Sequence, residues 1–348
     1  MAGPAGFAGS TRDSSIFLIE FFKERLKVAK SLISDKARRR SILWPTAYLP
    51  APLRITLRRK FLADLELHKA RNTPAIIIGH QKCGNTWLRA MLSRFYQMKY
   101  DIPSNLILKS DEFQRINDKV PRIFCTNGHY SYQHVIADAF DPATRDPYIS
   151  SLPVLFIARH PCDIAVSWYL QFTKRESTAK VELINADLKT SINGAQISLW
   201  DFVRHSELGV NAMIDYLNAW YDRLHDLETV HWTSYESMRL DPRQVLTRVL
   251  SFYEEDYTED QISEALKFTS FDNLQRLEQD GHFQAGGLAR QSKSDPTKRK
   301  VRRGKIGGYR EDFDAERVAE LDELVEKRLN PAFGYTKAEF DAMAKAAG

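Results

Sequence analysis

"IIIGHQKCGNTWLRAML", residues 76–92, is the stretch on which the reading of this chain turns. Ile76, Ile77 and Ile78 form an apolar run that reads as a buried strand. The run breaks at Gly79, and a helical apolar pattern resumes at Trp87, Leu88, Met91 and Leu92. Strand, tight turn and helix is the layout of a phosphate-binding loop, in which the first amides of the helix point at an anion. The ATPase form of that loop requires a lysine directly after its second glycine. Here Gly79 and Gly84 keep the spacing, but Asn85 and Thr86 follow, and the lysine comes earlier, at Lys82. The sequence therefore calls for a phosphate group held differently from a triphosphate.

A chain of 348 residues suffices for one large α/β domain with additions, or for two small domains. Its 43% hydrophobic and 27% charged residues are ordinary for a globular protein. Cys83, Cys125 and Cys162 have no paired spacing, which fits a reducing compartment and neither a disulfide framework nor a zinc site. The net charge of +5 is uneven: residues 1–72 hold 15 Lys+Arg against 6 Asp+Glu, about +9, which leaves about −4 on the rest. A basic arm on a slightly acidic body predicts an anionic surface as a partner. No apolar run approaches the roughly 20 residues of a membrane span, and "SIFLIEFF" (15–22) lacks the basic start of a secretory signal.

Residues 1–14, rich in Gly, Ala and Ser, are expected to be disordered. From Ser15 to Ser34, Leu18, Phe22, Leu26, Ala29 and Ile33 share one helical face, and Lys23, Lys27 and Lys30 share another. Such a helix either packs on the body or lies on an anionic membrane. Three prolines in "DKARRRSILWPTAYLPAPLRITLRRK" (35–60) argue against one continuous helix. Beyond this, strands are predicted at Ala75–Gly79, Arg122–Thr126, Val154–Ala158 and Thr229–Trp232. Helices are predicted at Thr86–Gln97, Pro161–Phe172, Val210–Asp226, Pro242–Tyr253, Glu259–Phe268 and Glu316–Leu329. That alternation implies a single α/β domain, its central, mostly parallel sheet flanked by helices. The mixed stretch Thr173–Gln196 reads as a substrate-side insertion or lid. Gly281–Tyr309, basic and poor in apolar residues, reads as a long loop of the kind that closes over an anion.

Two further segments carry cations suited to phosphate. In "VLFIARHPCDIAVSWYLQF" (154–172) a strand ends at Arg159, with Pro161 and Asp163 in the first turn of a helix and Ser167 two turns in. Arg159 and Ser167 could hold a second phosphate at the carboxyl edge of the sheet. In "RKVRRGKIGGYREDF" (299–313) Arg302, Arg303 and Gly304 present two guanidinium groups on a flexible segment.

Together these segments resemble the sulfotransferases that use 3′-phosphoadenosine 5′-phosphosulfate (PAPS). "QKCGNTW" is similar to their P-K-S-G-T-T-W loop, "ARHPCDIAVSWY" to R-N-P-x-D-x-x-x-S-x-Y, and "RRGKIGGYREDF" to R-K-G-x-x-G-D-W-x-x-x-F. "SYESMRLDP" resembles Y-E-D-M-x-x-D-P, and "TSFDNLQRLE" resembles T-S-F-x-x-M. The matches keep their order from Ile76 to Phe313. Departures are Cys83 for serine, Asn85 for threonine, His160 for asparagine and Gly308-Tyr309 for Asp-Trp.

The resemblance implies a P-loop-like PAPS site, no metal, and 3′-phosphoadenosine 5′-phosphate (PAP) as product. It implies Lys82 at the leaving phosphate, Gly84, Asn85 and Thr86 on the 5′-phosphate, and Arg159, Ser167, Arg302, Arg303 and Gly304 on the 3′-phosphate. Trp87, Tyr235, Thr269 and Phe271 would surround the adenine. The family's catalytic histidine aligns with Asn127 in "PRIFCTNGHYSY" (121–132); His129, two residues on, is the expected base, with Glu112 in "KSDEFQRI" as the alternative.

The expected organisation is a basic extension at 1–72 with its amphipathic helix, a sulfotransferase domain at 73–335 and a tail at 336–348. The expected protein is cytoplasmic, with a hydroxylated small-molecule or lipid acceptor, peripheral membrane contact through residues 15–60 and no nucleic-acid partner; the oligomeric state is left open. The rival readings are a P-loop kinase and a PAPS-binding adaptor at a membrane surface that has lost catalysis.

Overall fold

The structure is a computed structural model, and it describes residues 35–109, 111–127, 151–194, 196–283, 287–289 and 299–347. The amphipathic segment Ser15–Ser34 and His129 lie outside these. Contacts divide the chain into two compact units, Met1–Arg54 and Ile55–Gly348. In the first, α1 (Asp35–Thr46) ends where the Thr46 hydroxyl turns back on the carbonyls of Ile42 (2.8 Å) and Leu43 (3.0 Å). Pro45 lies in its last turn, and α2 starts at Ala51 and runs to Ala70. The proline-rich segment is thus two helices broken at residues 47–50, consistent with the prolines' refusal of a single one. Trp44 and Tyr48 are strongly exposed, at 77% and 93%.

In the second unit, α2 buries Leu57, Phe61, Leu62 and Leu65. Arg58 bridges to Glu182 at 2.7 Å, and Arg59 pairs with Asp187. Four strands follow: β1 (Ala75–Ile78), β2 (Ile123–Thr126), β3 (Val154–Ala158) and, later, β4 (Val230–Ser234), in the order β2-β1-β3-β4. All neighbours are parallel, with Ile76 opposite both Phe124 and Val154, and Phe156 opposite Trp232. Every residue of β1 and β3 is buried, as it must be when helices cover both faces of a parallel sheet. Since the chain moves to one side after β1 and to the other after β3, the carboxyl ends of these two strands flank a topological switch point, where such sheets bind ligands.

The helices over the sheet are α3 (Asn85–Tyr100), α4 (Pro161–Lys174), α5 (Thr178–Asn185), α6 (Leu199–Arg204), α7 (Val210–Leu224), α8 (Tyr235–Leu240), α9 (Pro242–Phe252), α10 (Glu259–Phe268), α11 (Phe271–Asp280), α12 (Ala315–Arg328) and α13 (Lys337–Ala346). In α3, Leu88, Met91, Leu92 and Phe95 form the buried stripe, and the helix stops at Asp101, whose amide closes on the Gln97 carbonyl in a left-handed conformation. Pro161 and Pro242 each open a helix, where a missing N–H costs nothing. Between Gly281 and Gly307 no described residue is helical or extended, as a loop requires, and the expected stretch ends in a short 3-10 turn at Gly308–Glu311. Within Thr173–Gln196 the sequence pattern hid one helix, α5, which buries Leu183. The last helix, α13, sets Phe340 flat against the His160 ring, centroids 3.9 Å apart. No described helix is long and apolar enough to cross a membrane.

Candidate active site

The loop from Gly79 to Gly84 leaves β1 at the switch point. Gly79 has no room for a side chain: a Cβ there would meet the Asn85 Oδ1 at 2.6 Å and the Ile157 carbonyl at 2.9 Å. Gly84 has φ 96°, and a Cβ would strike Met238 Cε at 2.7 Å and Tyr235 Cδ2 at 3.0 Å. The Gly84 carbonyl receives the amides of Trp87 (2.8 Å) and Leu88 (3.1 Å). The amides of Asn85 and Thr86 precede these first bonds of α3 and are the orphan donors of a helix start. Asn85 turns its side chain back instead, giving Nδ2 to the Gly79 carbonyl at 2.8 Å and closing the loop.

Lys82 is at the crown in an unusual conformation, φ 82° without being glycine. A left-handed residue carrying a Cβ costs about 1 kcal/mol, which the surrounding contacts must offset. Burial, then repulsion from Arg175, Lys300, Arg159 and Arg302, holds its amine well below the ordinary lysine pKa. A cluster of cations around a buried lysine is what an anion site needs. Cys83, next to it, is fully buried, and burial pushes its thiol up, so it is no nucleophile.

Arg159, at the end of β3, joins this loop directly. Its Nη1 donates to the Lys82 carbonyl at 2.9 Å, its guanidinium carbon lies 4.1 Å from the centre of the Tyr235 ring, and its Nη2 is 3.6 Å from Asp163. Burial opposes its charge, but Asp163, Tyr235 and Glu236 outweigh that and raise its pKa. Its Nε is buried with no hydrogen-bond partner among the described residues. Asp163 does more than open α4. It accepts the amides of Gly307 (2.9 Å) and Tyr309 (3.0 Å) and so pins the third segment beside the first two. Burial raises its pKa against the pull of Arg159 and those amides. Glu236 works likewise from α8, accepting from the His160 amide (3.1 Å) and the Tyr335 hydroxyl (2.6 Å). Ser167 is half-buried on α4.

In the third segment the two arginines part company. Arg302 is half-buried, in no ion pair among the described residues, and depressed by burial and by the charge of Arg303. Arg303 is bound in a fork to Asp312 (2.7 and 2.8 Å) and to the Gly308 carbonyl (3.2 Å), so its guanidinium braces the loop. Gly304, φ 65°, lies against Phe271, whose ring a Cβ would meet at 2.6 Å. Trp87 and Tyr235 meet edge to face at 6.1 Å, and the Trp87 indole N–H donates to the Thr269 carbonyl at 2.9 Å. Loop, Arg159 and Arg302 thus converge beside an aromatic slot, and distant parts of the chain are held together there by specific hydrogen bonds.

A sequence model of the sulfotransferase domain matches residues 72–333. The chain belongs to the sulfotransferase family. Among curated sulfotransferases, cytosolic sulfotransferase 13 of Arabidopsis thaliana is 23% identical over 286 residues, 75% of this chain and 78% of that protein. The amine sulfotransferase of Oryctolagus cuniculus is 19% identical over 289 residues, 78% of this chain and 85% of that one. Mouse sulfotransferase SULT7A1, solved in complex with PAP, shares the fold at a TM-score of 0.50 and 15% identity, over 82% of this chain and 94% of that one.

Within this sulfotransferase, Asn127 places its Oδ1 3.5 Å from Asn85 Nδ2, and its carbonyl accepts the Tyr216 hydroxyl at 3.1 Å. His129 falls outside the described residues. Glu112 sits in a turn after Leu108, whose carbonyl receives Arg89 Nε and Nη2 from α3 (2.8 and 2.6 Å). Two cations absent from the motif reading complete the site. Lys300 is held by Glu278, which accepts the amides of Lys300 (2.7 Å) and Val301 (2.9 Å). A Cβ added at Gly287 would touch Lys300 Nζ (2.7 Å) and the Thr86 side chain (3.1 Å), so both side chains border Gly287. Burial and the charges of Arg89 and Arg175 lower the Lys300 pKa to about 8. Arg175, at the C-terminal end of α4, donates Nη1 to the Arg299 carbonyl at 3.1 Å. Neither could be told in sequence from the other cations of a basic run.

Proposed function

We propose that this chain transfers the sulfuryl group of PAPS to an acceptor hydroxyl. The observation that carries this reading is the tie between three motif segments. Arg159 holds the Lys82 carbonyl, and Asp163 holds the 307–309 backbone, at the switch point of the sheet. The donor set fits the nucleotide: a helix start, Lys82 and Lys300 for the phosphosulfate, and Arg159 and Arg302, a separate cation pair, for the 3′-phosphate. PAPS supplies the sulfuryl group: the acceptor oxygen bonds to sulfur, the bond from sulfur to the bridging oxygen breaks, and that oxygen keeps the electron pair on PAP. Lys82 neutralises the charge growing there, Asn85 keeps the loop closed, and His129, or in its place Glu112, takes the acceptor proton. Arg159→Ala or Arg302→Ala should erase the preference for PAPS over adenosine 5′-phosphosulfate in competition binding. An unchanged preference in both variants would remove the 3′-phosphate from this site.

Lys300 gives the site a pH signature. In the free protein its ammonium is lost above about pH 8, and a bound phosphate favours the charged form. Nucleotide binding therefore takes up a proton in that range, and PAP affinity should fall as pH rises from about 8 towards 10. Lys300→Met should flatten that slope in calorimetry; a slope unaltered by the substitution would assign the titration elsewhere.

The basic extension supports peripheral contact of residues 15–60 with an anionic membrane, and the exposed Trp44 and Tyr48 have the amphipathic rings found at lipid interfaces. A lipid-like acceptor follows from that placement. The full chain should co-sediment with phosphatidylserine vesicles and not with phosphatidylcholine alone, and equal behaviour with both would remove the contact. One observation favours a second reading, a PAPS-binding adaptor: Asn127 fills the family's histidine position with a side chain that cannot take a proton.

A further inference from the structure

PAPS has three anionic groups: the sulfate and the 5′-phosphate of its phosphosulfate, and the 3′-phosphate. The start of α3, Lys82 and Lys300 meet the phosphosulfate, while Arg159 and Arg302 meet the 3′-phosphate. Arg175 is left over, yet it is the strongest of the four cations that repel Lys82, ahead of Lys300, Arg159 and Arg302. Its charge is therefore felt at the residue assigned to the transfer point.

Nη1 of Arg175 is anchored on the Arg299 carbonyl at 3.1 Å, and Nε is buried with no hydrogen-bond partner among the described residues. Among the described residues Arg175 is in no ion pair. Glu278 and Glu176 lie near enough to favour its charge, but Glu278 accepts the amides of Lys300 and Val301, and Glu176 accepts from Lys180 at 3.4 Å and the Ser177 amide at 3.2 Å. A guanidinium held by one carbonyl beside other cations costs stability, a cost that a bound anion would offset. Its place in the chain also fits. Arg175 caps the end of α4, two turns beyond Ser167, where the polar stretch read as a substrate-side insertion begins.

We propose that Arg175 receives an anionic group, a carboxylate, phosphate or sulfate, that the acceptor carries near its reacting hydroxyl. The sulfotransferase would then select anionic acceptors. This rests on the sulfuryl-transfer reading and adds to it the charge of the substrate.

The test uses matched acceptors with labelled PAPS and the full chain: 4-hydroxyphenylacetate against its neutral amide, and 3-hydroxydodecanoate against its methyl ester. The first pair offers a phenol and the second a lipid-like alcohol. In at least one pair the wild-type protein should favour the anionic member in kcat/KM by roughly tenfold or more, the scale of one charge-assisted contact. Arg175→Met should bring that ratio close to one through KM, with PAP affinity by calorimetry changed less than about twofold, and Arg175→Lys should restore part of the preference. Each ratio is internal to one preparation, so partial misfolding does not distort it. Absence of preference in both pairs, or a preference that survives Arg175→Met, overturns the proposal. So does a joint loss of PAP affinity and of both acceptors, which would assign the guanidinium to the nucleotide. Failure of wild-type protein to bind PAP would instead overturn the PAPS reading beneath it.

Discussion

Lys82→Ala is expected to slow sulfuryl transfer by roughly 10³-fold while weakening PAP binding far less. The reason is where the charge develops. As the bond from sulfur to the bridging oxygen breaks, negative charge grows on the leaving phosphate, and a preorganised cation acts there more strongly than on the bound ground state. Alanine suits the measurement because it keeps the Cβ, and with it the strain of φ 82°. Lys82→Gly removes both amine and strain, so it should melt above Lys82→Ala by an amount equivalent to about 1 kcal/mol and be equally inactive. Equal losses of rate and affinity in Lys82→Ala would reduce the lysine to an ordinary ligand of the nucleotide.

The second large effect concerns the acceptor proton. His129→Ala should lower turnover roughly 10²–10⁴-fold, the usual share of general base catalysis, and leave PAP affinity nearly unchanged. An acid limb of the pH–rate profile should disappear with it, because an imidazole acts as a base only without its second proton. Glu112→Gln is the companion variant. Near-full activity in His129→Ala with an inactive Glu112→Gln would make the base a carboxylate. Activity in both would mean that an acidic acceptor, such as a phenol, needs no base, and it would weaken the case for a lipid alcohol.

The sheet and its ligand edge were legible because their signals are local. Val154–Ala158 is five consecutive apolar residues in a strand buried on both faces, and Gly79, Gly84 and Lys82 mark a turn by steric need and charge within a few positions. Arg159 was found by its place at a strand end. What escaped the sequence depends on partners far along the chain. Asp163 reads as a helix-opening residue, and nothing near it announces that it will accept amides from Gly307 and Tyr309. Arg303 and Arg302 look alike in the motif, but Asp312 takes the first of them into a fork. Lys300 and Arg175 are single cations in a chain of 50 Lys+Arg, and only their burial beside Lys82 sets them apart. Helix α5 was missed because its eight residues, held at Ser177 by a cap and at Glu182 by Arg58, are too few to display a period.

The central claim is that this switch-point site moves a sulfuryl group from PAPS to an acceptor oxygen. It is tested most directly by a single-turnover experiment with sulfur-labelled PAPS, excess protein and a panel of phenols, hydroxylated lipids and amines, followed by mass spectrometry of the products. Label should pass to a hydroxylated acceptor with release of one PAP per sulfate transferred, and Lys82→Ala should bind PAPS without passing it on. Tight PAPS binding with no transfer to any acceptor would contradict the claim and leave a nucleotide-binding adaptor, while failure to bind PAPS together with phosphoryl transfer from MgATP would leave a kinase.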